Sequence, residues 1–533
     1  MSELNDYCQA TPLCPHTEIV LLDESLWTQF VDKRAQRLLN MALTAAVAPQ
    51  QNQLLASRPF LAAVLAETAQ LEELLDAYGA QSNQRWCDFR KLLATARIFA
   101  NTAYKLRHIQ HSCVRYRLAE KGVLLQDACV GNLDAIATAL GCCLTRFAEE
   151  AARLNLQVPV KQQLDFDSNE NLPPGILPCD RKTRHVDSAR QVVLHLATAF
   201  LDVAARSVLL HTTGEKKTDI SYCQLVPDPV SEENLLQLES LFHSLQALYD
   251  TYISTSDMEE VDADLPVLRG HISVIYHLVE IARSLVHYYE RHMAIATDQL
   301  EPRIYCAIDA ERILAIVIDF ALAFAWHYLS DARQLCQRML KRYAHPAQIS
   351  VQVPSYRGFH VRPATLISRI VRHYGSTVTM EMAGQKYDAG SPLELFRANE
   401  LINSEKRRNI AEAVANLPLD DLQLPQLESL QAVRRVVLML AERDKIILYR
   451  QPLPLDQIRP MQPNDDLLDY IVNSVKQLFL IGVIDFQATL IAGFAGDSRV
   501  LDDIRHLAEA GYGEDHFGNN IPLPPQLTYL RRD

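Results

Sequence analysis

A chain of 533 residues, 48% of them apolar and 22% charged, is too long for one core, and about three or four domains are expected. The net charge of −13 argues against general nucleic-acid binding, because an acidic surface repels a phosphate backbone. The start, Met1 to Asp6, has neither the basic nor the apolar part of a signal peptide, and a cytoplasmic location is expected.

In chain order, a helical pattern runs from Leu26 to Leu156, with apolar residues every three or four positions, as in Leu71, Leu74, Leu75 and Tyr78. The stretch Asp165 to Lys182, with prolines and Gly175, reads as a linker. Helical periodicity returns from Val186 to Leu210, and a second break, Thr213 to Ser231, holds Gly214, Pro227 and Pro229. Three helices follow, Glu232–Ser254, Asp264–His292 and Ala310–Arg342. The middle one carries Leu268, Ile272, Ile275, Val279 and Ala282 as a core-facing stripe. The longest apolar run, Ile313 to Trp326, is interrupted by Asp319. It reads as a buried core helix too short to span a bilayer. Eleven cysteines lie at or before Cys336, and none forms a C-x-x-C. Spacings such as Cys8 to Cys14, or adjacent Cys142 and Cys143, match no zinc template. Reduced, mostly buried thiols are expected, with neither a metal nor a cofactor.

The pattern changes at Pro346. Ile349, Val351 and Val353 alternate with polar residues, as in a half-buried strand. Gly358 to Ala364 then read G-F-H-V-R-P-A, with a proline opening a helix whose one face carries Ile367, Ile370, Val371 and Tyr374. Gly375 stops that helix. Val378, Met380 and Met382 alternate again, and Ala383-Gly384 predicts a hairpin turn back along Gln385 to Ala389. Ser391 and Pro392 suit the N-cap and first position of another helix. Ser404 to Leu417 looks helical, and so does Leu427 to Glu442. The next strand candidate is Lys445 to Tyr449. Two further helices, capped near Asn464 and starting at Asp497, precede a Gly-, Asn- and Pro-rich tail from Gly511.

The run Ala347 to Asn403 resembles HPr, the histidine-containing phosphocarrier of the bacterial sugar phosphotransferase system. The resemblance rests on Gly358, His360, Arg362 and Pro363 in the family's spacing, set between a strand and an amphipathic helix, and on the hairpin and Ser391 that follow. It implies that His360 takes a phosphoryl group at Nδ1 from an enzyme I-type phosphohistidine and passes it to a protein acceptor. It puts phosphate stabilisation on Arg362, the helix start on Pro363 and a regulatory phosphoserine on Ser391, which also reads as a plain N-cap. The chemistry agrees: a neutral imidazole is nucleophilic near pH 7, and a helix N-terminus with an adjacent guanidinium favours a phosphate. Nine Lys+Arg against five Asp+Glu between Pro346 and Ile410 give +4, which leaves −17 for the rest. Arg357, Arg362, Arg369 and Arg372 could form a docking face for an acidic partner. In the family a strand soon follows the second helix; here Lys445 to Tyr449 would supply it late, or the sheet is incomplete.

The expected architecture is multidomain and mostly α. A helical bundle spans 1–165, and a second bundle or its continuation 183–345. An HPr-like α+β open-faced sandwich follows at 346–451, then a helical extension with an irregular tail at 452–533. A different function class stays open: an interaction scaffold that keeps the HPr fold without carrying phosphate. His271, His277, His287 and His292, with Glu280 and Glu290, lack the i, i+4 spacing of a helical metal site and read as core or surface residues. His108 and His111 could share a face but have no third ligand in view, and Glu514, Asp515 and His516 read as a flexible acidic loop.

Overall fold

The computed structural model describes residues 21–48, 51–157, 177, 189–214, 221–293, 308–417 and 428–530. Apart from Leu177, the expected linker at 165–182 lies outside them, as do Cys8 and Cys14. The protein is mostly helical with a small antiparallel sheet. Its helices are α1 (Glu24–Ala46), α2 (Gln51–Leu55), α3 (Arg58–Ala77), α4 (Cys87–Ser112), α5 (Ala119–Arg153), α6 (Ala189–Arg206), α7 (Val208–Gly214), α8 (Glu232–Tyr252), α9 (Met258–Val261), α10 (Asp264–Tyr288), α11 (Ala310–Ala315) and α12 (Ala323–Arg342). Beyond them come α13 (Val361–Tyr374), α14 (Pro392–Ala415), α15 (Ser429–Glu442), α16 (Leu467–Leu480) and α17 (Ser498–Glu509). The strands are β1 (Pro346–Gln352), β2 (Thr379–Met382), β3 (Gln385–Asp388), β4 (Ile446–Leu448), β5 (Ile484–Phe486) and β6 (Ile491–Asp497).

The chain forms two compact units, and the first comprises Met1–Arg181, Leu209–Ser240 and Ser273–Tyr328. Its aromatic core runs from Trp27 of α1 through Trp86 to Phe89 of α4 and Phe147 of α5, with successive ring centroids 5.9, 5.8 and 4.6 Å apart. The charge inside the apolar run has a partner. Asp319 sits in a π-helical turn between α11 and α12 and accepts a hydrogen bond from Tyr222 Oη. Two helices, Gly122–Arg153 and Ala310–Arg342, are long and apolar enough to cross a membrane by length and composition. The second is longer than the apolar run it contains. Their most apolar windows are 56% and 61% buried within the protein, a burial that core helices also have.

The second unit comprises Lys182–Val208, Leu241–Ile272 and Leu329–Asp533. Its main sheet has the order β1-β6-β2-β3, with every pair antiparallel. The alternation seen in the sequence sets its faces. Val351, Met380 and Met382 are buried, with Ala492 and Phe494 of β6, while Gln348, Ser350, Gln352 and Glu381 face outward. α17 packs against β1 and β6, and α13 packs against α17 and α14. α13 buries Ile367, Ile370, Val371 and Tyr374. The Ile and Val side chains contribute about 1.5–3 kcal/mol each. Gly375 ends the helix at φ 60°. Ala383 and Gly384, at φ 49° and 78°, make the hairpin turn.

The strand that completes the sheet is not Lys445 to Tyr449. β4 pairs with β5 in a separate two-stranded ribbon, and β6 enters between β1 and β2, within the stretch expected to be helical extension. The intervening residues build a second core. Ile410 and Val414 of α14, Val433, Val436 and Val437 of α15, and Ile471, Val475 and Leu478 of α16 pack together with Ile446 and Ile484 of the ribbon.

Candidate functional site

The segment after β1 turns on two successive left-handed residues, Arg357 at φ 52° and Gly358 at φ 64°. A Cβ on residue 358 would lie 2.5 Å from Asn399 Oδ1 and 3.1 Å from Ile402 Cδ1, so α14 leaves room only for glycine. Phe359 is fully buried. His360 follows as the N-cap of α13, with φ −73° and ψ −170°. The helix therefore starts at Val361, and Pro363 is its third residue rather than its first. The carbonyl of His360 accepts the first helical bond, from Ala364 N. Val361 and Arg362 bring first-turn N–H groups with no intrahelical acceptor, and Pro363 brings none.

The imidazole has an unequal pair of nitrogens. Nε2 lies 2.8 and 2.9 Å from the two carboxylate oxygens of Glu514. Nδ1 has no hydrogen-bond partner among the described residues. The His360 side chain is 23% exposed and that of Glu514 only 3%. A carboxylate accepts hydrogen bonds, so Nε2 is the nitrogen that donates to Glu514, and in a neutral ring Nδ1 is then the nitrogen with the free lone pair. Tyr356 meets the ring edge to face, 5.3 Å between centroids.

Glu514 overturns the expectation of a flexible acidic loop. Its backbone bridges to Asn520, and Ile521 N donates to Gly513 O. Tyr512, buried at φ 61°, donates from its hydroxyl to Gln352 O at 2.6 Å, which fastens the loop to the end of β1. The local sequence signals only a turn, through Gly511, Gly513 and Gly518. Nothing in it points to a histidine more than 150 residues away.

The other expected residues scatter. Arg362 donates to Asn520 Oδ1, while its Nε is buried without a partner. A Cβ on Gly513 would lie 3.4 Å from that Nε, so the tail loop passes directly over the guanidinium. Arg357 donates to Gly482 O and stacks on Tyr356, Arg369 donates to Leu530 O, and Arg372 to Gly390 O. Four neighbours in sequence are thus directed to four different acceptors rather than gathered around His360. Leu393 is 70% exposed beside Ser391, while Leu395 is buried.

Ser391 caps α14 by accepting from Glu394 N. Ser391→Ala is expected to cost about 1 kcal/mol and to leave the chemistry at His360 unchanged. Urea unfolding of the variant checks the first part; an unchanged midpoint would mean that the long 3.4 Å bond contributes nothing.

Several of the other histidines have ordinary partners. Glu280 binds Lys105 Nζ at 2.7 Å and His277 Nδ1 at 2.8 Å, and His108 lies 3.2 Å from Tyr116 Oη. Burial and the neighbouring His277 lower the pKa of His108 to about 4. His287 sits 2.9 Å from Glu232, and burial lowers His292 to about 4. Among the described residues no three His, Cys, Asp or Glu side chains converge on a metal position. Comparison of this chain with models of known families, with curated proteins and with solved structures finds no match.

Proposed function

We propose that His360 accepts a phosphoryl group, and that this protein is a phosphocarrier or phosphorylation-responsive regulator of the HPr type. One observation carries the reading. A histidine at a helix N-terminus has Nδ1 free of partners while a buried carboxylate holds Nε2. The free nitrogen is the nucleophile, and the helix start offers N–H groups and a favourable dipole to the incoming phosphate. Phosphoryl transfer asks mainly for positioning and charge stabilisation, which a site of this kind supplies.

Further support lies in the order of elements. A strand, a histidine-led helix, a hairpin and a serine-capped helix follow one another as the HPr resemblance requires. A strand after the second helix is also called for, and β6 fills that place once the segment between α14 and β6 is set aside as an insertion. The donor is an enzyme I-type phosphohistidine. Arg362 now donates to Asn520 Oδ1 and would have to give up that acceptor to meet a phosphate oxygen.

Incubation with labelled phosphoenolpyruvate and enzyme I tests the proposal. Acid-labile label is expected on the protein and is lost in His360→Ala. No label, with an HPr control labelled in the same tube, would overturn the reading in favour of an interaction scaffold.

A further inference from the structure

We infer that Glu514 is the positioning residue of this site: it fixes the tautomer of His360 that presents Nδ1 and balances the charge created there by transfer. The inference rests on the reading of His360 as a phosphoryl acceptor.

The geometry is specific to one nitrogen. Both Glu514 oxygens lie within 2.9 Å of Nε2, and the Glu514 side chain is only 3% exposed. The loop that carries it is anchored at Tyr512 and at the bridge to Asn520, so the carboxylate is placed by backbone rather than by a long free side chain. Tyr356 confines the ring from another side. In water a neutral imidazole exchanges its proton between two nitrogens; here one arrangement satisfies the buried carboxylate, and the other leaves it facing a lone pair.

The transfer step then balances without a proton leaving. The Nδ1 lone pair forms the new N–P bond as the bond between phosphorus and the donor's histidine nitrogen breaks. The donor ring keeps that electron pair. Nε2 of His360 retains its proton throughout, so the phosphorylated ring is cationic, and the Glu514 carboxylate lies against that charge. When the group moves on, the same Nδ1–P bond breaks and His360 leaves as the neutral, Nε2-protonated ring. A carboxylate that orients a histidine by its second nitrogen is an established device for fixing ring and tautomer.

The ring nitrogens can be read directly by 15N NMR of histidine-labelled protein, without any phosphoryl donor. In the full-length protein the neutral His360 is expected to show a protonated Nε2 and an unprotonated Nδ1. In Glu514→Gln that preference is expected to relax, because the amide offers both a donor and an acceptor. The labelling rate constant at saturating donor is expected to fall on the order of 10–100-fold, while the donor concentration for half-maximal rate stays the same. A protonated Nδ1 in the unsubstituted protein would overturn the inference, and this reading requires no variant to fold. An unchanged tautomer or an unchanged rate in folded Glu514→Gln would overturn it as well. If the unsubstituted protein takes no label but shows the Nε2–H ring, the phosphocarrier reading fails while Glu514 still fixes the tautomer. The two failures are therefore separate.

Discussion

Lys406→Ala is expected to destabilise the second unit by about 3–5 kcal/mol, lowering its thermal midpoint on the order of 10 °C. Lys406 Nζ lies 2.7 Å from Asp485 Oδ1, and both side chains are only 4% exposed. Removing one partner leaves the other charge buried without compensation, which costs far more than the net worth of the pair. Asp485 also accepts from the backbone N of Arg357 at 3.1 Å and from Tyr449 Oη at 3.3 Å. The carboxylate on β5 therefore holds the left-handed turn that leads to His360. Lys406→Met combined with Asp485→Asn should recover most of the loss. The charges then vanish together, and the amide oxygen still accepts from Arg357. Urea unfolding followed by hydrogen exchange over residues 346–530 measures both variants. A cost below about 1 kcal/mol for Lys406→Ala, the level of an exposed pair, would show that the pair is solvated.

The site was legible where its determinants are local. The alternation of Ile349 and Val351, the apolar face of α13, the turn at Ala383-Gly384 and the cap at Ser391 each follow from a few adjacent residues, and each appears in the structure. β6 was not legible, for a physical reason. Its sequence, I-A-G-F-A-G-D, lacks the β-branched run that marks a central strand. At Gly496 a Cβ would come within 2.8 Å of Val378 Cγ2 and 3.0 Å of Thr377 O. The close approach of the chain before β2 demands the small residue that hides the strand. Lys445 to Tyr449 had the better strand composition but belongs to the separate two-stranded ribbon, whose partner β5 lies beyond α16. Glu514 was hidden differently. A carboxylate among glycines looks solvated, and only the anchoring of Tyr512 to β1 turns it inward.

Phe359→Ala is expected to cost about 3–5 kcal/mol and to abolish labelling of His360 even where the protein remains folded. Phe359 is fully buried, and its ring stands edge-on to Phe494 of β6 and to Tyr512, at 6.5 and 6.1 Å between centroids. One side chain thus joins the histidine turn, the completing strand and the loop that presents Glu514. Truncation removes the packing of all three at once, and the remaining cavity cannot be filled without moving the backbone of His360 or of Tyr512. Both movements displace Nε2 from its carboxylate, and an error on the order of 1 Å in such a site costs about 100-fold in rate. Phe359→Leu keeps most of the volume and should retain both stability and the Nε2–H ring. Comparing the two at a temperature below both midpoints separates lost folding from lost positioning. If Phe359→Ala, still folded, kept an unaltered His360 tautomer and labelling rate, the turn and the Glu514 loop would be held independently of this ring, and the side-chain bonds from Tyr512 to Gln352 O and from Arg357 N to Asp485 would have to carry the alignment alone.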